Sequence, residues 1–222
     1  MAELYLVRHG QASYGSGDYD RLSDLGWRQA RWLGEYFAER GIAFDRIVRG
    51  TLRRHAETLV GIGEGLGAAP VFETDAGLDE YDSLSLLKAR HGEIGEPHQG
   101  TDRRAHFRLL REALYAWAEG TLEGEAHERF ASFRARVLGA LGAIRSGAAA
   151  ERVLVVSSGG PISTMLGEVL GLAPRAIVDL NMQLRNASIC ELRFNERSIQ
   201  CVSFNGIPHI DRPDRAEALT YA

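Results

Sequence analysis

In the run Arg152-Val153-Leu154-Val155-Val156, the four residues after the arginine are apolar at consecutive positions, not alternate ones. A strand covered on both faces tolerates that pattern, so the run predicts a central strand between layers of helices. It enters Ser157-Ser158-Gly159-Gly160-Pro161, and a helix to about Leu170 follows. Glu3 to Val7 is a second short strand, ending in Arg8-His9-Gly10. Ser23 is placed to cap a helix from Asp24 to about Arg40, which Gly41 stops. Its apolar stripe includes Leu25, Ala30, Leu33 and Phe37. Arg46 to Val48 is a weak strand candidate, followed by a turn at Gly50, a helix from Leu52 to about Leu66 and an extended piece at Val71 to Glu73.

Residues 78–125 carry no strand signal, and Phe107, Leu110, Leu114 and Trp117 recur at helical spacing. Phe130, Phe133, Val137, Leu141 and Ile144 repeat the pattern more clearly. Ser188 to Phe194 and Ile199 to Phe204 form a hairpin around Asn195. Strands alternating with helices predict an α/β fold, a three-layer α/β/α sandwich on a mostly parallel central sheet. The 222 residues are expected to form one domain, 1–222, with a helical insert at about 78–125.

Composition excludes some functions. The formal net charge is −4, which offers no basic footprint for nucleic acid. Lys88 is the only lysine among 26 cationic residues, a bias that fits GC-rich coding. Arginine abundance is therefore no evidence of a phosphate site, although arginine suits one. Cys190 and Cys201 are too few for a disulfide framework. The longest aliphatic run is far too short to cross a bilayer, and Met1-Ala2-Glu3 does not open a signal peptide. A cytoplasmic protein without membrane or nucleic-acid partners is expected. The seven histidines are scattered, and His91 and His98 lack a third ligand at a suitable spacing, so neither metal nor other cofactor is expected.

Parallel sheets bind ligands beyond the carboxyl ends of their strands. Two such ends are polar and glycine-rich here, at Arg8-His9-Gly10 and at Ser157 to Gly160. A histidine at a strand end is often an ordinary packing residue, but His9 between Arg8 and Gly10 is a candidate nucleophile, because imidazole titrates near neutrality and forms a labile bond to phosphorus. Phosphoryl transfer asks the protein for position and positive charge, which guanidinium forks supply. Strand-Ser-Gly-Gly-helix is superficially like a hydrolase elbow, but Val156 stands where that motif needs glycine. Gly61, Gly63, Gly65 and Gly67 do not make a dinucleotide loop, because Leu66 occupies a required glycine position and no strand precedes them.

Leu6-Val7-Arg8-His9-Gly10 resembles the signature of the histidine phosphatase superfamily, also called phosphoglycerate mutase-like. Leu22-Ser23, Gly26, Gln29 and Ala30 are similar to that family's LS-x-x-G-x-x-QA helix start. Gly50 to Thr58 is similar to its S-P-L-x-R-A-x-Q-T segment, Leu78-Asp79-Glu80 to its L-x-E segment, and Asn205 to His209 to its N-x-x-x-H tail. The resemblance implies that His9 accepts the phosphoryl group, that Arg8 and Arg54 clamp it, and that Glu80 is the proton donor. Arg53 competes with Arg54, and Asp79 and Asp82 with Glu80. A helical insert over the pocket is implied to act as a lid, with His55, Lys88, His91, His98, Arg103 and Arg104 as candidate lining residues. One position departs from the pattern. The family's S-H-G-G reads Ser157-Ser158-Gly159-Gly160 here, so Ser158 replaces a second histidine that donates to the phosphoryl group. Ser158 and the Gly159 amide remain candidate phosphate contacts.

The resemblance implies a phosphomonoesterase that hydrolyses a small phosphorylated molecule through a phosphohistidine. The alternatives are a phosphate-binding pseudoenzyme impaired at Ser158, or a phosphoglycerate mutase. A histidine restored at position 158 is expected to raise turnover. The sequence assigns no oligomeric state.

Overall fold

The computed structural model describes residues 1–13, 20–93, 102–146 and 151–221. Among these, six strands form one sheet: β1 (Ala2–Arg8), β2 (Arg46–Arg49), β3 (Glu73–Thr74), β4 (Arg152–Ser157), β5 (Ile189–Phe194) and β6 (Ile199–Gly206). Their order is β3-β2-β4-β1-β5-β6. β1 to β4 pair in parallel, and β5 and β6 add an antiparallel edge. β4 therefore lies inside the sheet, as its unbroken apolar run requires.

Side-chain alternation along the central strands divides the core into two layers. Tyr5 and Val7 of β1, with Leu154 and Val156 of β4, pack against Leu33 and Phe37 of α1 (Asp24–Glu39) and Leu59 and Ile62 of α2 (Arg53–Leu66). The alternate residues Leu4, Leu6, Val153 and Val155 face the other layer. That layer holds α3 (Ser83–His91), α4 (Arg103–Ala118), α5 (Phe130–Ser146), α6 (Gly159–Leu170) and α7 (Pro174–Gln183). The result is the expected α/β/α sandwich with a mostly parallel sheet.

Ser23 caps α1 by accepting from the Gly26 amide at 3.1 Å, and Gly67 ends α2 in the left-handed region at φ 70°. The glycine-rich stretch has a packing role: a Cβ at Gly65 would overlap the Arg31 carbonyl of α1, so α1 and α2 approach closely there. Among the differences from the sequence reading are two boundaries and one unread helix. The extended piece near Val71 pairs only at Glu73–Thr74. α6 starts at Gly159 and not after Pro161, so both glycines lie in its first turn. α7 went unread, because its buried residues Ile177 and Val178 are adjacent and trace no stripe. No helix among the described residues is long and apolar enough to cross a membrane.

Candidate active site

The tips of β1 and β4 set the geometry. Arg8 is in register with Ser157, and the His9 amide donates to the Ser157 carbonyl at 2.9 Å. His9 and Ser158 thus stand side by side where two parallel strands end. The Gly10 amide donates to Thr58 Oγ1 of α2 at 3.0 Å, which ties this tip to the helix that carries Arg54.

His9 is 3 % exposed. Its Nδ1 lies 2.7 Å from the Gly10 carbonyl, an acceptor only, so Nδ1 carries the proton and Nε2 keeps its lone pair. Burial, with the positive charges of Arg54 and Arg8 and the nearby His55, holds the imidazole well below its ordinary range. His9 therefore presents a neutral, oriented ring nitrogen.

Arg54 is buried and lines the cavity described below, whereas Arg53 is exposed. Arg54 Nη1 pairs with Asp20 Oδ1 at 2.7 Å, while Arg53 pairs along its own helix with Glu57. Arg8 donates through Nη1 to the Leu184 carbonyl and, at 2.7 Å, to the Tyr221 carbonyl. The three acids also separate. Asp79 accepts from the Thr51 amide at 2.6 Å and from the Thr51 hydroxyl, and Asp82 caps α3 through the Ser85 amide. Glu80 accepts from the Gly160 amide at 3.1 Å. Burial raises its carboxyl, against the opposing effects of Arg54, two backbone donors and Arg8. A carboxyl so shifted holds a proton further toward neutrality and can deliver it.

Arg8, His9, Arg54 and Glu80 line one cavity of about 1160 Å³, together with Leu52, Tyr81, Arg103, Phe107, Met182 and Tyr221. Ser158 and Gly159 are enclosed beside them, with Gly159 opening α6 near Asn181 and Arg8. Of the other candidate lining residues among the described ones, only Arg103 reaches this wall. Lys88 pairs with Glu93, His91 donates to the Leu109 carbonyl at 3.1 Å, and Arg104 is exposed. His98 lies outside the described residues. His55 is fully buried and bonded to Ser158. His209 is also buried, its pKa pushed down to about 3, chiefly by burial. Sequence reasoning missed Arg136, which lines the cavity and donates to the Asp79 carbonyl at 2.7 Å, and the Leu219–Tyr221 wall. Neither belongs to a motif, so no local signal marked them.

The geometry can be set beside known proteins. A search of curated protein sequences finds no match. The family model for the histidine phosphatase superfamily (branch 1) matches residues 4–206. A mycobacterial glucosyl-3-phosphoglycerate phosphatase, solved with inorganic phosphate, is 25 % identical, with a TM-score of 0.66 over 95 % of this chain and all of that one. A phosphoserine phosphatase from Entamoeba histolytica is 19 % identical, with a TM-score of 0.67 over 95 % of this chain and all of that one. An α-ribazole phosphatase from Shigella flexneri is 17 % identical, with a TM-score of 0.65 over 92 % and 96 % of the two chains. The last two likenesses speak for the fold alone. With a family match over almost its whole length, the chain belongs to the histidine phosphatase superfamily, branch 1, and is an enzyme of the histidine phosphatase type.

Proposed function

We propose that the protein is a cytoplasmic phosphomonoesterase acting on a small phosphorylated molecule through a phosphohistidine at His9. The observation that carries this reading is a neutral imidazole whose Nδ1–H is tied to the Gly10 carbonyl, in a cavity shared with Arg8, Arg54 and Glu80. In the first half-reaction, His9 Nε2 forms a bond to phosphorus as the bond to the ester oxygen breaks. Glu80, protonated, gives its proton to the departing alkoxide, and an alcohol leaves. In the second half-reaction, the Glu80 carboxylate takes a proton from water. The new hydroxide attacks phosphorus, the N–P bond breaks, and inorganic phosphate leaves with His9 and protonated Glu80 restored. Arg8 and Arg54 neutralise charge on the non-bridging oxygens throughout.

The likeness to a glucosyl-3-phosphoglycerate phosphatase supports an organic phosphomonoester as substrate. A wall that mixes Leu52, Tyr81, Phe107 and Met182 with arginines favours an alcohol that has an apolar part. The reading treats 1–222 as one domain and residues 78–125, which contain α3 and α4, as an insert over the cavity mouth.

Hydrolysis of para-nitrophenyl phosphate and a panel of sugar, amino-acid and nucleoside phosphates tests the proposal. Its kcat/KM should fall on the alkaline side as Glu80 loses its proton above a raised pKa. On the acid side it should hold until well below 6.5, where His9 finally protonates. Binding of phosphate without hydrolysis of any ester would favour a binding protein instead. Isomerisation of 3-phosphoglycerate faster than phosphate release would favour a mutase.

A further inference from the structure

Ser158 stands beside the nucleophile, and its hydroxyl has a specific partner. Nε2 of His55, from the first turn of α2, lies 2.7 Å from Ser158 Oγ. The His55 and His9 ring centres are 5.9 Å apart, with the planes inclined by 37°. Both Ser158 and His55 are fully buried. The other ring nitrogen of His55 makes no hydrogen bond among the described residues. It faces Asp79 Oδ1 at 3.8 Å, beyond hydrogen-bond reach, and Thr51 already occupies that carboxylate. Gly50 makes room for this arrangement, since a Cβ there would overlap the His55 ring and come within 2.6 Å of Asp79 Oδ1.

Packing alone does not explain an imidazole here, because an aliphatic side chain would fill the space without desolvating two ring nitrogens. Burial and the charges of Arg54 and Arg49 keep the ring neutral. We propose that His55 and Ser158 act as one unit that stabilises the phosphoryl group on His9. The His55 Nε2–H donates to Ser158 Oγ, which directs the serine hydroxyl proton to a phosphoryl oxygen. A neutral imidazole holds one N–H and a serine one O–H, and their mutual contact uses one of the two. Only with the ring proton on Nε2 is the hydroxyl proton left to give, and a dianionic phosphoryl group selects that tautomer. No proton is transferred. Ser158 contacts the phosphoryl oxygen, and His55 is its positioning residue. The inference rests on the phosphohistidine reading above. It also reverses the expectation for histidine at position 158, because in the rotamer of the serine a larger ring would run into His55.

The test uses the full chain, with steady-state hydrolysis of para-nitrophenyl phosphate and calorimetric binding of orthovanadate. Ser158→Ala and His55→Ala should each lower kcat about 10²-fold, the size of one lost preorganised donor, with KM little changed. The double variant should be no slower than either single one, because both remove the same unit. His55→Gln, whose amide nitrogen can also donate to Oγ, should keep much of the rate, a rescue that a filler residue would not give. Ser158→His alone should be slower than wild type, and adding His55→Ala should recover the rate. Losses that multiply in the double variant, full kcat in His55→Ala, or faster turnover in Ser158→His alone would overturn the inference. If His55→Ala does not fold, His55→Gln and Ser158→Ala decide. If the wild type hydrolyses no ester, the phosphatase reading fails, and vanadate still decides this one. Binding weakened about tenfold or more in Ser158→Ala and largely kept in His55→Gln would support a donor unit, and unchanged affinity in Ser158→Ala, or an equal loss in His55→Gln, would overturn it.

Discussion

The two strand tips at the centre of the sheet meet the same demand in different ways. At the end of β1, the reactive ring belongs to the strand itself and is oriented by the next carbonyl along the chain. At the end of β4, the strand offers only a serine, and an imidazole comes from α2, 103 residues away in sequence. On the proposed reading, the difference teaches that a group beside the nucleophile can be supplied from a distant position in the chain. A loss at Ser158 and a histidine at His55 look unrelated along the chain. They become one feature only when β4 and α2 are brought together.

The comparison can be broken or sharpened by substitution. The largest effect is expected at Glu80, which completes the chemistry that the β1 tip begins. Glu80→Gln should lower kcat by about 10²–10⁴-fold on an alkyl phosphate, whose leaving alkoxide needs a proton. The loss should be much smaller on para-nitrophenyl phosphate, and equal losses on both would remove Glu80 from the role of acid. Next is the clamp. Arg54→Ala should cost about 10²–10³-fold in kcat/KM, while Arg53→Ala beside it should stay close to wild type. The reverse ranking would place the wrong side of α2 at the cavity. The smallest effect is expected at Gly50, which lies against the borrowed ring and Asp79. Gly50→Ala should destabilise the fold by about 1–3 kcal/mol through overpacking against His55 and Asp79, read as a lower Tm, with His9 phosphorylation intact. An unchanged Tm would show that the His55 ring has room to move, and the unit built on it would lose its rigidity.

The centre of the sheet was legible in the sequence because β4 is apolar from Val153 to Val156 and both β1 and β4 run into polar tips that contain glycine. The first tip was legible for a related reason: Arg8, His9 and Gly10 are adjacent, so one short segment displays the nucleophile and one cation. Arg54 and Glu80 could be placed only through resemblance, and their choice over Arg53, Asp79 and Asp82 needed the burial and hydrogen bonds seen here. α3 and α7 escaped because each buries an adjacent pair, Leu86 and Leu87 or Ile177 and Val178, and no helical stripe follows from a pair. The cavity wall at Leu219–Tyr221 escaped because main-chain bonds hold it: the Thr220 carbonyl accepts from the Asn186 amide at 2.9 Å and the Tyr221 carbonyl from Arg8. Main-chain bonds leave little trace in side-chain identity.

The central claim concerns a single atom, Nε2 of His9. Acid-free trapping of the wild-type protein during turnover, followed by peptide mass spectrometry and phosphorus NMR, reads out that atom directly. The account predicts one phosphoryl group on His9, bonded at Nε2 because Nδ1 is committed to the Gly10 carbonyl, and no label in His9→Ala. A phosphoryl group on Nδ1, on Ser158 or on His55, or steady hydrolysis by His9→Ala, would contradict it.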